Sequence, residues 1–209
     1  MPIVTVSRMY GSGGSEVAAR VASALGWALL DNAMVEAVAE RLGVSAAEVS
    51  AREERVPSLA ERLAETLALG SPELLTPVSN PAILPTEDRM LEVTRRVIAE
   101  AAARGPAVIV GRGAQMMLAE RADALHVFCV APLEELVARA RDRLHPGERR
   151  RPERIVEETN RQREQYVARH WGRSWMAPEN YHLCVNTGWL GVSGAADLVV
   201  EVARRRFGE

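Results

Sequence analysis

Short apolar runs alternate with amphipathic stretches along most of the 209-residue chain. Five of these runs have the length of a strand that is buried on both faces, and they cover residues 3–6, 27–31, 107–111, 125–130 and 182–186. The stretches between and after them carry apolar residues at helical spacing, at about residues 17–25, 33–42, 87–104, 132–144 and 195–207. Strands that alternate with helices predict an α/β fold in which helices cover both faces of a parallel sheet.

Residues 56–86 interrupt this alternation. Five of the eleven prolines lie there, and capping boxes start helical patterns both before and within this stretch. We expect an inserted, mostly helical lobe over about residues 45–86. The remainder, residues 1–44 and 87–209, would form the core of a single domain, and the leucines of the lobe are a candidate homodimer contact.

The composition fits a soluble globular protein, with 47% hydrophobic and 26% charged residues. No apolar run is long enough to span a membrane, and the first residues lack the pattern of a secretory signal. Cys129 and Cys184 both lie in apolar, strand-like segments, where we expect buried free thiols. These features predict a cytoplasmic protein that has no membrane partner.

The charge distribution favours a local anion site over general nucleic-acid binding. The net charge is −2, which argues against a protein that binds nucleic acid along its surface. All 26 basic residues are arginine, and 11 of them lie between residues 139 and 173, beside only six acidic residues. Such a concentration predicts an anion-binding segment, although a solvated helix face gives the same pattern.

A glycine-rich turn follows the first predicted strand and opens the first helix, with Gly11, Ser12, Gly13, Gly14 and Ser15 in succession. Glycines let backbone N–H groups approach an anion closely, and the serines add hydroxyl donors. The positive end of the following helix lies at the same point. The turn predicts a phosphate-binding loop, and a tight structural turn is the alternative.

Six segments, in the same order over nearly the full chain, resemble the cytidylate kinase-like family of P-loop kinases. They are VSRMYGSGGSEVA, WALLDNA, VIVGRGA, LHVFCVAPLEE, NRQREQY and NYHLCVNTG. The resemblance implies a central five-stranded parallel sheet, an acceptor-binding lobe and an arginine-rich lid at about residues 145–175. It also implies an enzyme that transfers the γ-phosphoryl group of ATP, with Mg²⁺, to a nucleoside monophosphate such as CMP.

The resemblance assigns roles to individual residues. Gly11 to Ser15 would hold the ATP phosphates, while Asp31 and Arg112 would lie in the acceptor pocket, with Arg112 on the acceptor phosphate. Arg161 and Arg163 would be lid arginines that neutralise the charge of the transferring phosphoryl group.

The chain departs from true cytidylate kinases at positions that matter for phosphate and metal binding. Gly14 stands where they have the phosphate-binding lysine, and Glu16 stands where they have the Mg²⁺-binding serine or threonine. We predict that Arg8, the nearest basic residue before the turn, binds the phosphates in place of the lysine; the alternative is that it pairs with an acid and braces the loop. Glu16 would bind Mg²⁺ directly or through water. The chain also differs from true cytidylate kinases at Ala37, Gly113 and Asn160, so the resemblance does not identify the acceptor.

Two other functions fit parts of the sequence. One is a kinase for a different small hydroxyl or phosphate compound. The other is a nucleotide-binding regulator that has lost catalysis and contacts DNA through residues 39–50, where Ala39, Gly43 and Val49 have helix-turn-helix spacing. The second helix of that motif would be rich in acidic residues and therefore a poor surface for phosphates, so nucleic acid is not the expected partner.

Overall fold

The structure is a computed structural model that describes residues 1–46, 87–143 and 151–208. Most of the predicted helical lobe lies outside the described residues, and so do residues 144–150 of the predicted lid region. The homodimer contact expected from the leucines of the lobe lies outside them as well. Within the described ranges, no helix is long and apolar enough to cross a membrane.

Five strands form one sheet, which confirms the predicted fold class. The strands are β1 (Ile3–Arg8), β2 (Ala28–Leu30), β3 (Ala107–Val110), β4 (Ala124–Val130) and β5 (Leu183–Asn186). All neighbouring pairs are parallel, and the spatial order is β2-β3-β1-β4-β5. The central strand is β1, whose Ile3, Val4 and Val6 are fully buried.

Helices connect the strands, and five of the seven with described bounds overlap stretches predicted to be helical. Those with described bounds are α1 (Gly14–Leu25), α2 (Asn32–Leu42), α3 (Glu87–Arg104), α4 (Ala114–Met117), α5 (Leu133–Arg143), α6 (Pro152–Trp171) and α7 (Thr187–Phe207). Helix α3 ends at Arg104, directly before Gly105 and Pro106, which is where the sequence predicts its end.

The helices cover both faces of the sheet, because consecutive side chains of a strand point to opposite sides. Val4 and Val6 of β1 pack in a cluster with residues of α1 and α7, including Val17. Ile3 belongs to a second cluster, on the other face, with residues of α2 and α3. At the carboxyl edge of the sheet, the residue after β3 still contacts β1, since the N–H of Gly111 donates to the carbonyl of Val6 at 3.0 Å.

Helix α7 begins at Thr187, before the predicted start at residue 195. Its first turn is held by Asn186, whose Oδ1 accepts hydrogen bonds from the backbone N–H groups of Gly188 (3.0 Å) and Trp189 (3.2 Å). Gly191 then adopts a non-helical conformation (φ 70°, ψ 168°) and separates this turn from the rest of the helix. The helical periodicity of apolar residues starts only after the kink, so the pattern missed the first turn.

The prediction of two buried free thiols is correct for Cys129 and wrong for Cys184. Both cysteines are free, but Cys184 is exposed. It lies on β5, an edge strand of the sheet, where the neighbouring Val185 points into the core. Because side chains alternate along a strand, Cys184 points away from that core.

Candidate active site

The glycine-rich turn between β1 and α1 is built tightly against its neighbours. Gly11 and Gly13 have positive φ angles of 85° and 75°, which L-residues with side chains rarely adopt. A Cβ atom on Gly11 would lie 2.2 Å from the carbonyl oxygen of Leu136, and one on Gly13 would lie 2.7 Å from Cγ2 of Val192. Both positions therefore require glycine, and the turn presents its backbone at the amino end of α1.

Two residues that the sequence analysis missed anchor this turn. The carbonyl of Ser12 accepts hydrogen bonds from Oγ1 of Thr187 (2.6 Å) and from Nη1 of Arg139 (3.1 Å). Arg139 also donates to the carbonyl (3.0 Å) and the hydroxyl (3.1 Å) of Thr187. These contacts tie the turn to α5 and to the first residue of α7. The hydroxyl of Ser12 is buried and has no hydrogen-bond partner among the described residues, which suits a group that binds a ligand oxygen.

Arg8, the last residue of β1, lies directly under the start of α1. A Cβ atom on Gly14 would come within 2.4 Å of Cβ and 3.1 Å of Cγ of Arg8, and within 3.2 Å of Cβ of Cys129. The stem of Arg8 thus fills the space into which a side chain at position 14 would begin. Arg8 thus brings a positive charge to the turn from the strand that precedes it. Position 14, at the start of the helix that follows, has no room for a side chain.

Three arginines converge on one pocket at the carboxyl edge of β1 and β3. Arg8, Arg112 and Arg163 line this pocket together with polar and aromatic side chains that include Ser7, Gln115, Tyr166 and Trp175. The free space between them is about 20 Å³, which is room for one or two water molecules. In this conformation the pocket is too small for a whole nucleotide.

The backbone around Arg112 directs its side chain into this pocket. Gly111, Arg112 and Gly113 all have left-handed φ angles, of 69°, 62° and 66°, and Arg112 is the one non-glycine residue with positive φ in the described part of the chain. Such a conformation is uncommon for a residue with a side chain and is often found at functional sites. A Cβ atom on Gly113 would lie 2.4 Å from the ring of Trp171, so α6 packs directly on this turn.

Arg112 is almost fully buried, with 9% of its surface exposed. Burial, and next the nearby charge of Arg8, lower its pKa to about 10, whereas Tyr166 and Asp31 act in the opposite direction. Arg112 therefore stays protonated at neutral pH. Asp31 does not line the arginine pocket, and its place in the acceptor pocket stays a prediction.

Helix α6 is attached to the start of the glycine-rich turn by two side chains one helical turn apart. Nη1 of Arg163 donates to the carbonyl of Arg8 at 2.6 Å, and Oδ1 of Asn160 accepts from the N–H of Tyr10 at 2.7 Å. The guanidinium of Arg163 also lies 6.0 Å from the centre of the Tyr10 ring, within the range of a cation–π contact. The helix thus brings one arginine of the predicted lid to the pocket.

The structure does not bring the second predicted lid arginine to the same place. Arg161 is exposed and pairs with Glu158 on its own helix, with an Nη2 to Oε1 distance of 2.7 Å. It does not line the arginine pocket. A role for Arg161 in catalysis stays a prediction that would require α6 or its side chain to move.

Glu16 is the residue that could hold a metal ion beside the turn. It is exposed in the first turn of α1, and its Oε2 lies 3.9 Å from the position of a Cβ atom on Gly13. The described residues contain no group of three or more His, Cys, Asp or Glu side chains that could hold a metal. Mg²⁺ in kinase sites commonly takes one or two carboxylates and completes its shell with phosphates and water, so a single carboxylate here fits Mg²⁺.

The comparisons with known proteins agree with this architecture. The model of the cytidylate kinase-like family matches residues 3–188. Among solved structures, an uncharacterized protein from Eubacterium ventriosum has a TM-score of 0.66 and 16% identity, with 97% of this chain and 98% of that chain covered. A shikimate kinase from Bacteroides thetaiotaomicron has a TM-score of 0.54 and 13% identity, with coverages of 96% and 97%. No curated protein matches the chain significantly.

A shikimate kinase from Acinetobacter baumannii, solved in complex with shikimate, has a TM-score of 0.51 and 17% identity, with 100% of this chain and 94% of that chain covered. At such identities these structures show a common fold, which is that of P-loop kinases. The family model adds more, because it spans most of the chain and includes the glycine-rich turn, Arg112 and Arg163. The chain therefore belongs to the cytidylate kinase-like family.

Proposed function

We propose that the protein transfers the γ-phosphoryl group of ATP to a small acceptor, and that this acceptor is a nucleoside monophosphate such as CMP. One observation carries the proposal, which is the convergence of Arg8, Arg112 and Arg163 on a single pocket beside the glycine-rich turn. Cations brought this close repel one another, and an anion between them relieves the repulsion. Phosphoryl transfer depends on such a set of cations, because its catalysis is mostly positioning and electrostatic stabilisation.

On the donor side, the backbone of residues 11–15 and the amino end of α1 would bind the ATP phosphates. These donors amount to about half a positive charge, which is small against a triphosphate. Arg8 would supply the missing cation, since its stem already occupies the space beside Gly14. Glu16 would hold Mg²⁺, which neutralises phosphate charge when it is bound.

On the acceptor side, Arg112 would bind the phosphate of the acceptor. Its burial and its left-handed backbone keep its guanidinium in one orientation, which favours a bidentate contact with phosphate oxygens. Asp31, which is electrostatically coupled to Arg112, would contact the acceptor or orient that guanidinium. Arg163 would stabilise the charge on the phosphoryl group during transfer, with Arg161 as a second lid arginine if α6 rearranges.

A second candidate is a kinase for another small hydroxyl or phosphate compound. The residues that differ from true cytidylate kinases include Ala37 and Gly113, both on the proposed acceptor side, and the bulky ring of Trp171 lies against Gly113. A changed acceptor pocket supports a changed acceptor. Since the fold is shared with shikimate kinases, hydroxy acids belong among the compounds to test.

A nucleotide-binding regulator is the alternative from another functional class. The loss of the lysine and of the hydroxyl ligand for Mg²⁺ from the turn would fit a protein that binds ATP without turnover. The helix-turn-helix hypothesis concerns residues 39–50, of which residues 47–50 lie outside the described residues. We further propose a cytoplasmic location, which the free state of both cysteines supports. A homodimer stays a prediction.

The test is ADP formation by the purified protein with ATP and Mg²⁺ against a panel of CMP, dCMP, UMP, AMP, GMP, shikimate and gluconate. Turnover with one monophosphate supports the proposal, and turnover with a hydroxy acid supports the second candidate. ATP binding without turnover on any compound supports the regulator. If the protein neither binds ATP nor forms ADP, the proposed function is wrong.

Two variants exclude a contaminating kinase. Arg112→Ala, purified in the same way, should lose acceptor-dependent ADP formation. Arg154→Ala removes an exposed arginine from the same helix as Arg163 and should keep it. Equal turnover by wild type and Arg112→Ala would mean that the measured activity does not come from this pocket.

A further inference from the structure

One carboxylate joins the first turn of α3 to the last turn of α6. Glu87, the first residue of α3, has one oxygen 2.9 Å from Nε2 of His170 and the other 2.9 Å from Nη1 of Arg169. A carboxylate can only accept, so Nε2 of His170 carries the proton and donates it to Glu87. The helix dipoles favour this arrangement, because the acid lies at the amino end of one helix and its two partners lie at the carboxyl end of the other.

The two contacts of this carboxylate differ in burial. The side chain of Arg169 is 35% exposed, and ion pairs at the surface contribute little to stability. The side chain of His170 is only 7% exposed, so its hydrogen bond to Glu87 is shielded from water. A buried donor that loses its acceptor disturbs the packing around it. The contact with His170 is therefore the one that fixes the carboxyl end of α6.

His170 belongs to a cluster of three rings on α6, which also contains Tyr166 and Trp171. The ring centres lie 4.8 Å apart for Tyr166 and His170, and 5.6 Å apart for His170 and Trp171. Tyr166 and Trp171 close the triangle at 5.7 Å. All three pairs meet edge to face, which is a favourable geometry for aromatic rings. Since each ring packs on the other two, a contact that fixes His170 fixes the whole aromatic cluster.

The aromatic cluster reaches the candidate active site at two points. Tyr166 lines the arginine pocket, which Glu87 does not. Trp171 packs on the turn that carries Arg112, since a Cβ atom on Gly113 would lie 2.4 Å from its ring. The left-handed conformation of Arg112 (φ 62°) is unfavourable for a residue with a side chain and persists only where its surroundings hold it. The aromatic cluster is part of those surroundings.

We propose that Glu87 is a positioning residue for the binding of the acceptor. Its hydrogen bond to His170 holds the aromatic cluster against the 111–113 turn, and this turn presents Arg112 to the acceptor phosphate. The inference rests on the proposed function, which assigns the acceptor phosphate to Arg112. The glycine-rich turn, which would bind the donor, is anchored by α5 and α7 instead. Loss of the Glu87 contact should therefore weaken the acceptor and spare ATP.

The test is the steady-state kinetics of ADP formation with saturating ATP and varied CMP. Glu87→Ala should raise the KM for CMP about tenfold or more and change kcat much less, because a displaced Arg112 weakens acceptor binding in the ground state and the transition state alike. Glu87→Gln should behave like wild type, since its amide oxygen still accepts from His170. If the panel above identifies another acceptor, that compound takes the place of CMP.

The matched control is Arg169→Ala, which removes the exposed ion pair of the same carboxylate and leaves the hydrogen bond to His170. It should keep the KM of wild type. Calorimetry should show the same ATP affinity for all of these proteins. This comparison separates positioning of the acceptor from a general loss of structure, which would weaken both ligands.

A second variant removes the same hydrogen bond from the other side. His170→Phe keeps a ring in the aromatic cluster and cannot donate to Glu87, so it should raise the KM for CMP as Glu87→Ala does. The double variant should be no worse than either single one, because both changes remove one contact. His170→Phe also decides the question if Glu87→Ala does not fold.

Nitrogen-15 spectra of the histidine rings give a readout that needs no activity. Wild type should have a proton on Nε2 of His170 that exchanges slowly with water, and His170→Phe identifies its signal by the absence of that signal. Arg169→Ala and Glu87→Gln should keep the slow exchange. Glu87→Ala should lose it.

Three results would overturn the inference. These are an unchanged KM for CMP in Glu87→Ala or His170→Phe, an equal rise of KM in Glu87→Ala and Arg169→Ala, or parallel losses of CMP and ATP affinity in Glu87→Ala. The second would assign the effect to the charge of the ion pair, and the third would limit Glu87 to a role in folding. In all three cases wild type still forms ADP, so the proposed function would stand. A wild type that forms no ADP with any acceptor would overturn both.

Discussion

The side chain of Arg8 fills the space that a side chain at position 14 would need, since a Cβ atom on Gly14 would lie 2.4 Å from Cβ of Arg8. The close atom belongs to the base of the arginine side chain and not to its flexible end, so rotation about the outer bonds does not relieve the contact. Positions 8 and 14 therefore exclude each other. A Cβ atom at position 8 and a side chain at position 14 do not both fit, and this chain has its side chain at position 8.

This exclusion predicts non-additive effects of two substitutions. Gly14→Lys alone should lower the free energy of unfolding by about 2 kcal/mol or more, because overpacking forces the backbone to shift. Arg8→Gly alone should cost about 1 kcal/mol through its backbone freedom. In the double variant the lysine has room, so the two losses should not add, and urea unfolding of the four proteins gives the interaction energy. Additive losses would show that the two positions are independent.

The second prediction concerns the role of Arg8 as the phosphate-binding cation. Arg8→Ala should weaken ATP binding by about 1.5–3 kcal/mol, which is the contribution of a hydrogen bond to a charged group. Calorimetry measures the loss, and circular dichroism checks that the variant is folded. Arg20→Ala, at an exposed position of α1, is the matched control and should bind like wild type. Unchanged ATP affinity in a folded Arg8→Ala would mean that Arg8 only braces the turn.

The sheet could be predicted from the sequence because each of its strands is a short apolar run next to a clear stop. The arginine pocket could be predicted in part, since Arg8, Arg112 and Arg163 stand in motifs that resemble a known family. The sequence predicted a lid role for both Arg161 and Arg163, whereas only Arg163 contacts the turn in the structure, because residues two apart on a helix do not share a face. Once Asn160 and Arg163 face the turn, Arg161 must face solvent.

The anchors of the turn could not be predicted in this way. Arg139 and Thr187 donate to a backbone carbonyl that is distant along the chain. Every residue has a backbone carbonyl, so the sequence does not show which one is the acceptor. Thr187 offers one weak signal, which is a hydroxyl directly after the carboxyl end of a strand. The exposed position of Cys184 escaped prediction because the sequence does not tell which strand lies at the edge.

The third prediction separates catalysis from binding at Arg163. If its contact with the phosphoryl group strengthens as charge develops, Arg163→Ala should lower kcat by about a hundredfold or more and change ATP affinity much less. Steady-state kinetics with the acceptor that the ADP-formation assay identifies, together with calorimetry, measure the two effects. Arg154→Ala, on the exposed side of α6, controls for the loss of a positive charge from that helix. Equal losses in turnover and affinity would assign Arg163 to ground-state binding.

The fourth prediction concerns Arg139 as the residue that holds the turn in place. Arg139→Ala removes the donors that serve the carbonyls of Ser12 and Thr187, and it should lower the free energy of unfolding by about 1–2 kcal/mol. ATP affinity should also fall severalfold, because a looser turn must be ordered when the phosphates bind. Arg141→Ala, at an exposed position of the same helix, should change neither quantity. Full ATP affinity in a destabilised Arg139→Ala would limit Arg139 to a role in folding.

The last prediction is a pH dependence of stability that arises at His126, a buried residue in the middle of β4. Its Nδ1 lies 2.7 Å from Oγ1 of Thr5, and its ring stacks on His182 with 4.9 Å between the ring centres. Burial, and next the charge of His182, lower the pKa of His126 from 6.5 to about 4. Above pH 6.5 the histidine is neutral in both the folded and the unfolded chain, so it has no effect on the pH dependence there. Between pH 6.5 and 4 the unfolded chain takes up a proton that the folded chain does not bind, so the free energy of unfolding should fall by about 3 kcal/mol as the pH decreases.

Urea unfolding of wild type and His126→Asn across this range measures the effect. The variant should be less stable at pH 7.5, because it loses the packing of the ring and its contact with Thr5, and its stability should depend less on pH between 6.5 and 4. The carboxylates titrate in both proteins, so the difference between the two curves isolates His126. That difference should level off below pH 4, where the folded chain also binds the proton. Two parallel curves would show that the folded protein accommodates a charged His126, and the buried, stacked histidine would then have no part in acid denaturation.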